Sequence, residues 1–176
     1  MSEPIKVLVV DDDEAVRLSY QRSLQAAQCE VEAVLNGEDA LRALEHQCFD
    51  VVLLDLRMPG MDSMSVLKTI KQTWPKSEVL VITGYPTVES AKEALRLGAY
   101  DYLAKPVGPA EVINAANGAM TQKKWALRKD LSSPDAGVGA TNYWMNMQRR
   151  WLGPASPDAG PDATIDPYGE SSRLGS

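Results

Sequence analysis

Up to about residue 128, short apolar runs alternate with stretches in which apolar residues return every three or four positions. Five runs stand out: IKVLVV at 5–10, EVEAV at 30–34, VVLL at 51–54, EVLVI at 78–82 and AYDYLA at 99–104. They are short, rich in β-branched or aromatic side chains, and bounded by Asp, Gly, Pro or Thr, which reads as strands. The first, third and fourth are almost unbroken in apolar character, as strands covered on both faces are. The segments between them carry helical spacing. Residues 14–27 place Val16, Tyr20, Leu24 and Ala27 on one face, and 38–46 turn Ala40, Leu41 and Leu44 inward behind Asn36-Gly37. Residues 63–73 align Val66, Leu67 and Ile70 and stop before Trp74-Pro75. A fourth helix is predicted over 87–97, with Thr87 as N-cap, Ser90 three positions on, and Gly98 ending it. A fifth starts near Pro109 and runs past Val112 and Ile113 to about residue 127.

Five strand–helix alternations predict an α/β domain over residues 1–130, a (βα)5 doubly wound, open parallel sheet. Right-handed crossovers in such a sheet bring ligand-binding groups to the carboxyl ends of the strands. Residues 131–176 break the pattern. SSPDAG at 132–137 returns as ASPDAG at 155–160, Gly and Pro are dense, and a largely disordered Pro/Gly/Ser-rich tail is predicted. Within it, residues 142–152 set Trp144, Met147, Gln148 and Trp151 on one face of a short amphipathic helix. Such a helix suits folding back on its own domain or docking in a partner's groove.

Composition narrows the class. The 176 residues are 44% hydrophobic and 24% charged, enough apolar mass for a core. No apolar run approaches the roughly 18–20 residues that span a bilayer, and MSEPIKVLVV lacks the basic flank of a secretory signal. No membrane insertion is expected. Cys29 and Cys48 have neither CxxC spacing nor a neighbouring His, which argues against a disulfide framework and fits a cytoplasmic location. The net charge is −6, and residues 1–117 carry 11 basic against 18 acidic side chains. Such a domain lacks the cationic surface that a phosphate backbone requires, so no direct nucleic-acid contact is expected. The basic cluster Lys123, Lys124, Arg128 and Lys129 fits the cation-favouring end of a helix.

The informative residues sit at the strand ends. Asp11, Asp12 and Asp13 follow the first strand, Asp55 the third, Thr83 the fourth and Lys105 the fifth. Singly, each has an ordinary reading as a cap, a turn residue or surface. Together they bring several carboxylates, a hydroxyl and an ammonium to one edge of one sheet. Clustered carboxylates repel unless a cation sits among them, and oxygen ligands of this kind suit Mg²⁺. A cation and a lysine neutralise an incoming phosphoryl group, and a carboxylate can accept it as an aspartyl phosphate. GxGxxG and GxxxxGK[ST] loops are absent, which excludes the usual dinucleotide and P-loop sites.

VLVVDDD (7–13), VVLLDLRMPGMD (51–62), VITG (81–84) and GAYDYLAKPV (98–107) resemble, in this order, the receiver domain of two-component response regulators, the CheY-like family. The match covers about residues 5–125, and GYPTVESAKEALRLGAYDYLAKP is most similar to receivers of NtrC-like regulators. The resemblance implies the flavodoxin/CheY-like strand order 2-1-3-4-5 and a phosphoacceptor at Asp55. It implies Mg²⁺ held by Asp11, Asp12, Asp55 and the backbone carbonyl of Arg57. Thr83 and Lys105 would contact the phosphoryl group, Tyr102 would be the switch aromatic, and the bond before Pro106 would be cis. A sensor histidine kinase is the implied donor. A downstream protein or a second copy would meet the face formed by the fourth helix, fifth strand and fifth helix. On this reading the chain accepts phosphate and is not an enzyme.

The sequence departs from the family where Ser63 replaces a usual glycine, so the loop there must avoid a glycine-only conformation or carry strain. Gly84 leaves the position beside Thr83 small. Arg57 and Tyr85 are bulky and would flank the phosphoryl group, slowing attack by water. Two other readings stay open: a haloacid-dehalogenase-like phosphohydrolase using the Asp11/Asp13 pair, and an interaction module that is never phosphorylated. After residue 131 nothing has the pattern of an ATPase or helix-turn-helix domain, as expected of a stand-alone receiver or of one cut from a larger regulator.

Overall fold

The computed structural model describes residues 3–130. Its elements are β1 (Lys6–Val10), α1 (Glu14–Ala26), β2 (Glu30–Val34), α2 (Gly37–His46), β3 (Val51–Asp55), α3 (Ser63–Thr73), β4 (Glu78–Thr83), α4 (Val88–Arg96), β5 (Asp101–Ala104) and α5 (Pro109–Asp130). All five strands are parallel, in the order β2-β1-β3-β4-β5. The register sets Val10 beside Leu54, Asp55 beside Ile82 and Thr83 beside Ala104. The carboxyl ends of the strands therefore finish along one edge.

The pleat sends alternate residues to opposite faces and builds two cores. Leu8, Val10, Val52, Leu54, Val79, Val81 and Tyr102 pack with Ala40, Leu44, Val66, Leu67 and Ile70, on the side of α2, α3 and α4. Val7, Val9, Val51, Leu53, Leu80, Ile82 and Leu103 pack with Tyr20, Leu24, Val112 and Ala116, on the side of α1 and α5. Unbroken apolar character in β1, β3 and β4 is the signature of this double cover. Each large apolar side chain so buried contributes about 1.5–3 kcal/mol before chain entropy is counted. Strand β2 lies at the sheet edge, only half-buried, and carries Glu30 and Glu32.

Side-chain caps start four helices: Asp13, Asn36, Asp62 and Thr87 each accept main-chain N–H groups of the first turn. Helix α4 ends with the N–H of Ala99 donating to the Ala94 carbonyl (3.0 Å) and that of Gly98 to Leu95 (3.0 Å). Gly98 takes the left-handed conformation this cap needs, φ 102°. Because the cap uses residues 98–99, β5 begins at Asp101 rather than at residue 99. Helix α1 closes the same way, through Cys29 to Leu24 and Gln28 to Gln25, but its left-handed residue is Gln28, φ 64°. Ser63 needs no glycine-only backbone. It is the first residue of α3, and the left-handed position in the preceding loop falls to Gly60, φ 98°.

Two helices differ in how firmly they are held. In α4 only Ala94 is buried, and Val88 is 65% exposed. Helix α5 is pinned at the opposite edge of the sheet from the carboxyl ends, where Lys123 Nζ lies 2.7 Å from Asp50 Oδ1. The N–H of Lys6 donates to the other Asp50 oxygen at 3.0 Å. No helix among the described residues is long and apolar enough to cross a membrane. The tail predicted for 131–176, with its helix at 142–152, lies outside the described residues.

A left-handed side-chain-bearing residue costs about 1–2 kcal/mol. Glycine returns about 0.5–1 kcal/mol of this through its greater freedom when unfolded. Gln28→Gly is therefore expected to stabilise the fold by up to about 1 kcal/mol, read as a higher urea midpoint at unchanged slope. A lower midpoint would show that the Gln28 side chain earns its place by contacts.

Candidate functional site

Asp11 is the first residue past β1 and Asp55 the last of β3, two neighbouring strands, so their side chains meet at the carboxyl edge. Asp11 is 2% and Asp55 5% exposed, while Asp12 stands in solvent. Carboxylate oxygens of Asp11, Asp12 and Asp55 lie within 4.8 Å of one another. Lys105, just past β5, reaches between two of them: its Nζ is 2.7 Å from Asp11 Oδ2 and 3.1 Å from Asp55 Oδ2. Asp11 is fastened from two further sides. Its Oδ1 accepts the N–H of Asp13 at 2.9 Å, and its main-chain carbonyl accepts Arg17 Nη1 at 2.7 Å. Asp55 Oδ1 accepts the N–H of Arg57 at 3.1 Å.

The run of three aspartates thus divides its labour. Asp13 turns away to cap α1, accepting the N–H groups of Ala15 and Val16. A phosphohydrolase built on the Asp11/Asp13 pair would need Asp13 at this edge, where it instead caps α1.

Burial pushes the Asp55 carboxyl above the usual carboxylate range, and the N–H of Arg57 and the ammonium of Lys105 only partly counter it. Burial alone would lower Lys105. Its hydrogen bonds to Asp11 and Asp55 outweigh that, and the ammonium is held above its ordinary value. Three carboxylates against one ammonium leave the edge electron-rich, and the donors are all hard oxygens. That chemistry fits a hard divalent cation.

Around this cluster stand the other residues singled out from the sequence. Thr83 ends β4, 1% exposed, and its hydroxyl oxygen accepts the N–H of Tyr85 at 3.2 Å. Its carbonyl accepts the N–H of Lys105 at 2.8 Å, joining β4 to the lysine's strand end. The Arg57 guanidinium lies over the Tyr85 ring, 4.0 Å from its centroid, although that ring is 65% exposed. A Cβ added at Gly84 would meet nothing within 4 Å, so this side of the site is open. The Lys105–Pro106 bond is cis. Tyr102 is fully buried in the core shared with α4, with its hydroxyl 2.6 Å from Ser90 Oγ.

The family model for the response regulator receiver domain matches residues 7–117. The chain belongs to that family. This receiver is 38% identical over 115 residues to the DNA-binding transcriptional regulator NtrC of Escherichia coli K12, covering 65% of the chain and 24% of the relative. It is 44% identical over 103 residues to the transcriptional regulatory protein ZraR of the same strain, covering 58% and 23%. With ZraR of Klebsiella oxytoca the match runs over 169 residues at 34% identity, 96% of the chain and 38% of the relative. The receiver thus spans about a quarter to two fifths of the length of these relatives. Among solved structures, a receiver from Clostridium thermocellum superposes at TM-score 0.66 with 31% identity, covering 69% of this chain and 98% of that one. A CheY-like receiver from Methanospirillum hungatei does so at 0.68 with 26% identity, covering 70% and 99%.

These relatives correct one expectation. Nucleic acid was excluded from the receiver's partners because its surface is acidic, yet NtrC is by name a DNA-binding regulator. Surface charge of one domain speaks only for that domain, and the receiver is a minor part of the relatives it matches. The exclusion does not hold.

Two contacts, one at the site and one beside α4, carried no sequence signal. Arg17 reads as an ordinary exposed-face residue of α1, and only the fold turns it back onto the Asp11 carbonyl. Ser90 was legible as part of the α4 cap through its spacing from Thr87, but its contact with Tyr102, 12 residues on, was not.

The raised Asp55 carboxyl has a consequence for stability. The folded chain holds that proton more tightly than the unfolded chain, so the ionised group disfavours folding above the raised value and not below the ordinary one. Asp55→Asn is expected to show a higher urea midpoint than the parent at pH 7. The gap should close as the pH is lowered past the ordinary carboxylate range; a gap that stays constant with pH would contradict the electrostatic origin.

Proposed function

We propose that this receiver accepts a phosphoryl group on Asp55 from the phosphohistidine of a sensor histidine kinase and relays the event to a protein-interaction face. The observation that supports this best is Asp55 itself: a buried carboxylate at the open edge of the sheet, backed by Lys105 and faced by two further acids. An Asp55 oxygen attacks phosphorus, the donor's N–P bond breaks, and the imidazole nitrogen takes the electron pair. Asp11, Asp12, Asp55 and the main-chain carbonyl of Arg57 would hold Mg²⁺, which when bound neutralises the phosphoryl oxygens. Lys105 then follows the new oxygens, and the Thr83 hydroxyl donates to one of them.

The energetics are tight. A hydrogen bond to a charged group is worth about 1.5–3 kcal/mol. Inverting a 1:99 equilibrium needs about 5.5 kcal/mol. Lys105 already bonds Asp55 and Asp11, so its gain on phosphorylation is a difference between partners rather than a whole bond. Thr83 supplies the larger new contribution. Its movement draws on the loop that leads into α4, the helix with the shallowest anchorage, and through it on the Tyr102 side of the domain. The Arg57–Tyr85 pair would flank the phosphoryl group and slow attack by water.

Kinship with NtrC and ZraR supports a transcriptional output and a cytoplasmic setting. The change in composition near residue 131 supports residues 1–130 as the receiver unit and 131–176 as a Pro/Gly/Ser-rich tail.

Incubation with a small phosphodonor and Mg²⁺ should add one PO₃ unit, located at Asp55 by peptide mass spectrometry. Asp55→Asn should take up none, and labelling that persists in that variant would reject the assignment. Breaking an exposed cation–π stack costs about 0.5–1 kcal/mol. The double variant Arg57→Ala, Tyr85→Ala should therefore dephosphorylate about two- to fivefold faster; an unchanged rate would remove these two residues from the mechanism.

A further inference from the structure

Asp12 is exposed, so packing does not aim its carboxylate at the cluster. The main chain does. Peptide units are planar, and the two units that flank a Cα set its φ and ψ and hence the direction of its side chain. At Asp12 both flanking units are held. The carbonyl of the Asp11–Asp12 unit accepts Arg17 Nη1 at 2.7 Å. The N–H of the Asp12–Asp13 unit donates to Asp11 Oδ1 at 2.9 Å. On either side the chain is pinned further. The N–H of Asp11 donates to the Val34 carbonyl of β2 at 3.3 Å, and Asp13 is committed to α1, accepting the N–H groups of Ala15 and Val16. Arg17 itself has a firm base, because its N–H donates to the Asp13 carbonyl at 3.0 Å inside α1 and the residue is half-buried. Its guanidinium spans the turn from the helix back to the end of β1.

We propose that Arg17 is a positioning residue for the cation: by holding the Asp11–Asp12 peptide unit it keeps the Asp12 carboxylate turned toward the edge shared with Asp11 and Asp55. Among the described residues Arg17 forms no ion pair with a carboxylate, and it meets the cluster through a neutral carbonyl oxygen. Two effects of opposite sign can therefore be told apart. A guanidinium that acted through its charge would repel a second cation, and removing it would tighten Mg²⁺ binding. A guanidinium that orients a ligand does the reverse. Outer partners of metal ligands are typically worth about 10–100-fold in affinity. The bond to a carbonyl, in the one peptide unit that Asp11 Oδ1 leaves unheld, favours orientation over charge.

This role rests on the reading of the edge as a Mg²⁺ site, so the metal is measured directly and no phosphodonor is used. Mg²⁺ is titrated calorimetrically into the full chain, its Arg17→Met and Arg17→Lys variants, and Asp12→Asn as the reference for loss of the ligand itself. Arg17→Met keeps an apolar stem without donor or charge, and it should bind Mg²⁺ about tenfold more weakly than the parent. Arg17→Lys keeps the charge on a shorter side chain without the planar fork, and its affinity should fall between the two. Without metal, amide exchange at Asp13 should run about two- to tenfold faster in Arg17→Met, the range that one hydrogen bond in the turn supports. Unchanged or tighter Mg²⁺ binding in Arg17→Met would overturn the proposal. So would a lower urea midpoint with affinity intact, which would make Arg17 a structural residue only. Should Arg17→Met fail to fold, Arg17→Lys decides, and an affinity equal to the parent's overturns the role. A parent that binds no Mg²⁺ would overturn the metal reading and this proposal together. Affinity lost in Asp12→Asn but kept in Arg17→Met would overturn this proposal alone.

Discussion

Three carboxylates gathered within a few ångströms are the constraint on which this domain turns. In isolation they would repel, and two of them are out of water. What makes the arrangement tolerable is one ammonium threaded between Asp11 and Asp55, together with main-chain N–H groups aimed at the other oxygen of each. The compensation is incomplete, as the raised Asp55 carboxyl shows. A site left short of positive charge suits a hard divalent cation. The parallel sheet exists, in this sense, to hold an unfavourable cluster still.

Most of this was legible in the sequence because it follows from period and position. Unbroken apolar runs identified the central strands, and residues placed just past their ends had to share an edge whatever the loop details. Asp11, Asp55 and Lys105 could be assigned together on that basis alone. Less legible was the division of work within Asp11-Asp12-Asp13, since three identical side chains differ only in backbone direction. One faces the core, one the solvent and one the helix. The start of β5 was misjudged for a related reason: Ala99 looks like a strand residue, but its N–H is claimed by the end of α4. Contacts between elements, such as Arg17 on Asp11 or Ser90 on Tyr102, leave no periodic trace. They depend on how helices lie against the sheet, and spacing within one segment says nothing about that.

Helix α4 illustrates how a weakly held element is built without being disordered. It has a well-formed cap at each end and one small buried residue between them. Local hydrogen bonding keeps it helical, while shallow packing leaves its placement cheap to change. Elements that move in regulated proteins come from this end of the stability range. Tyr102 belongs to the same core cluster as Ala94 and meets the helix through Ser90.

Strand β3 carries a charged grip at both of its ends. Asp55 is its last residue, and Asp50 precedes its first and is clasped by Lys123 of α5 and by the backbone of Lys6. The interior of the strand is wholly buried and cannot stretch. Helix α5 is thus tied through Lys123 to the amino end of the very strand whose carboxyl end is Asp55, so the two acids bracket one rigid, fully buried segment.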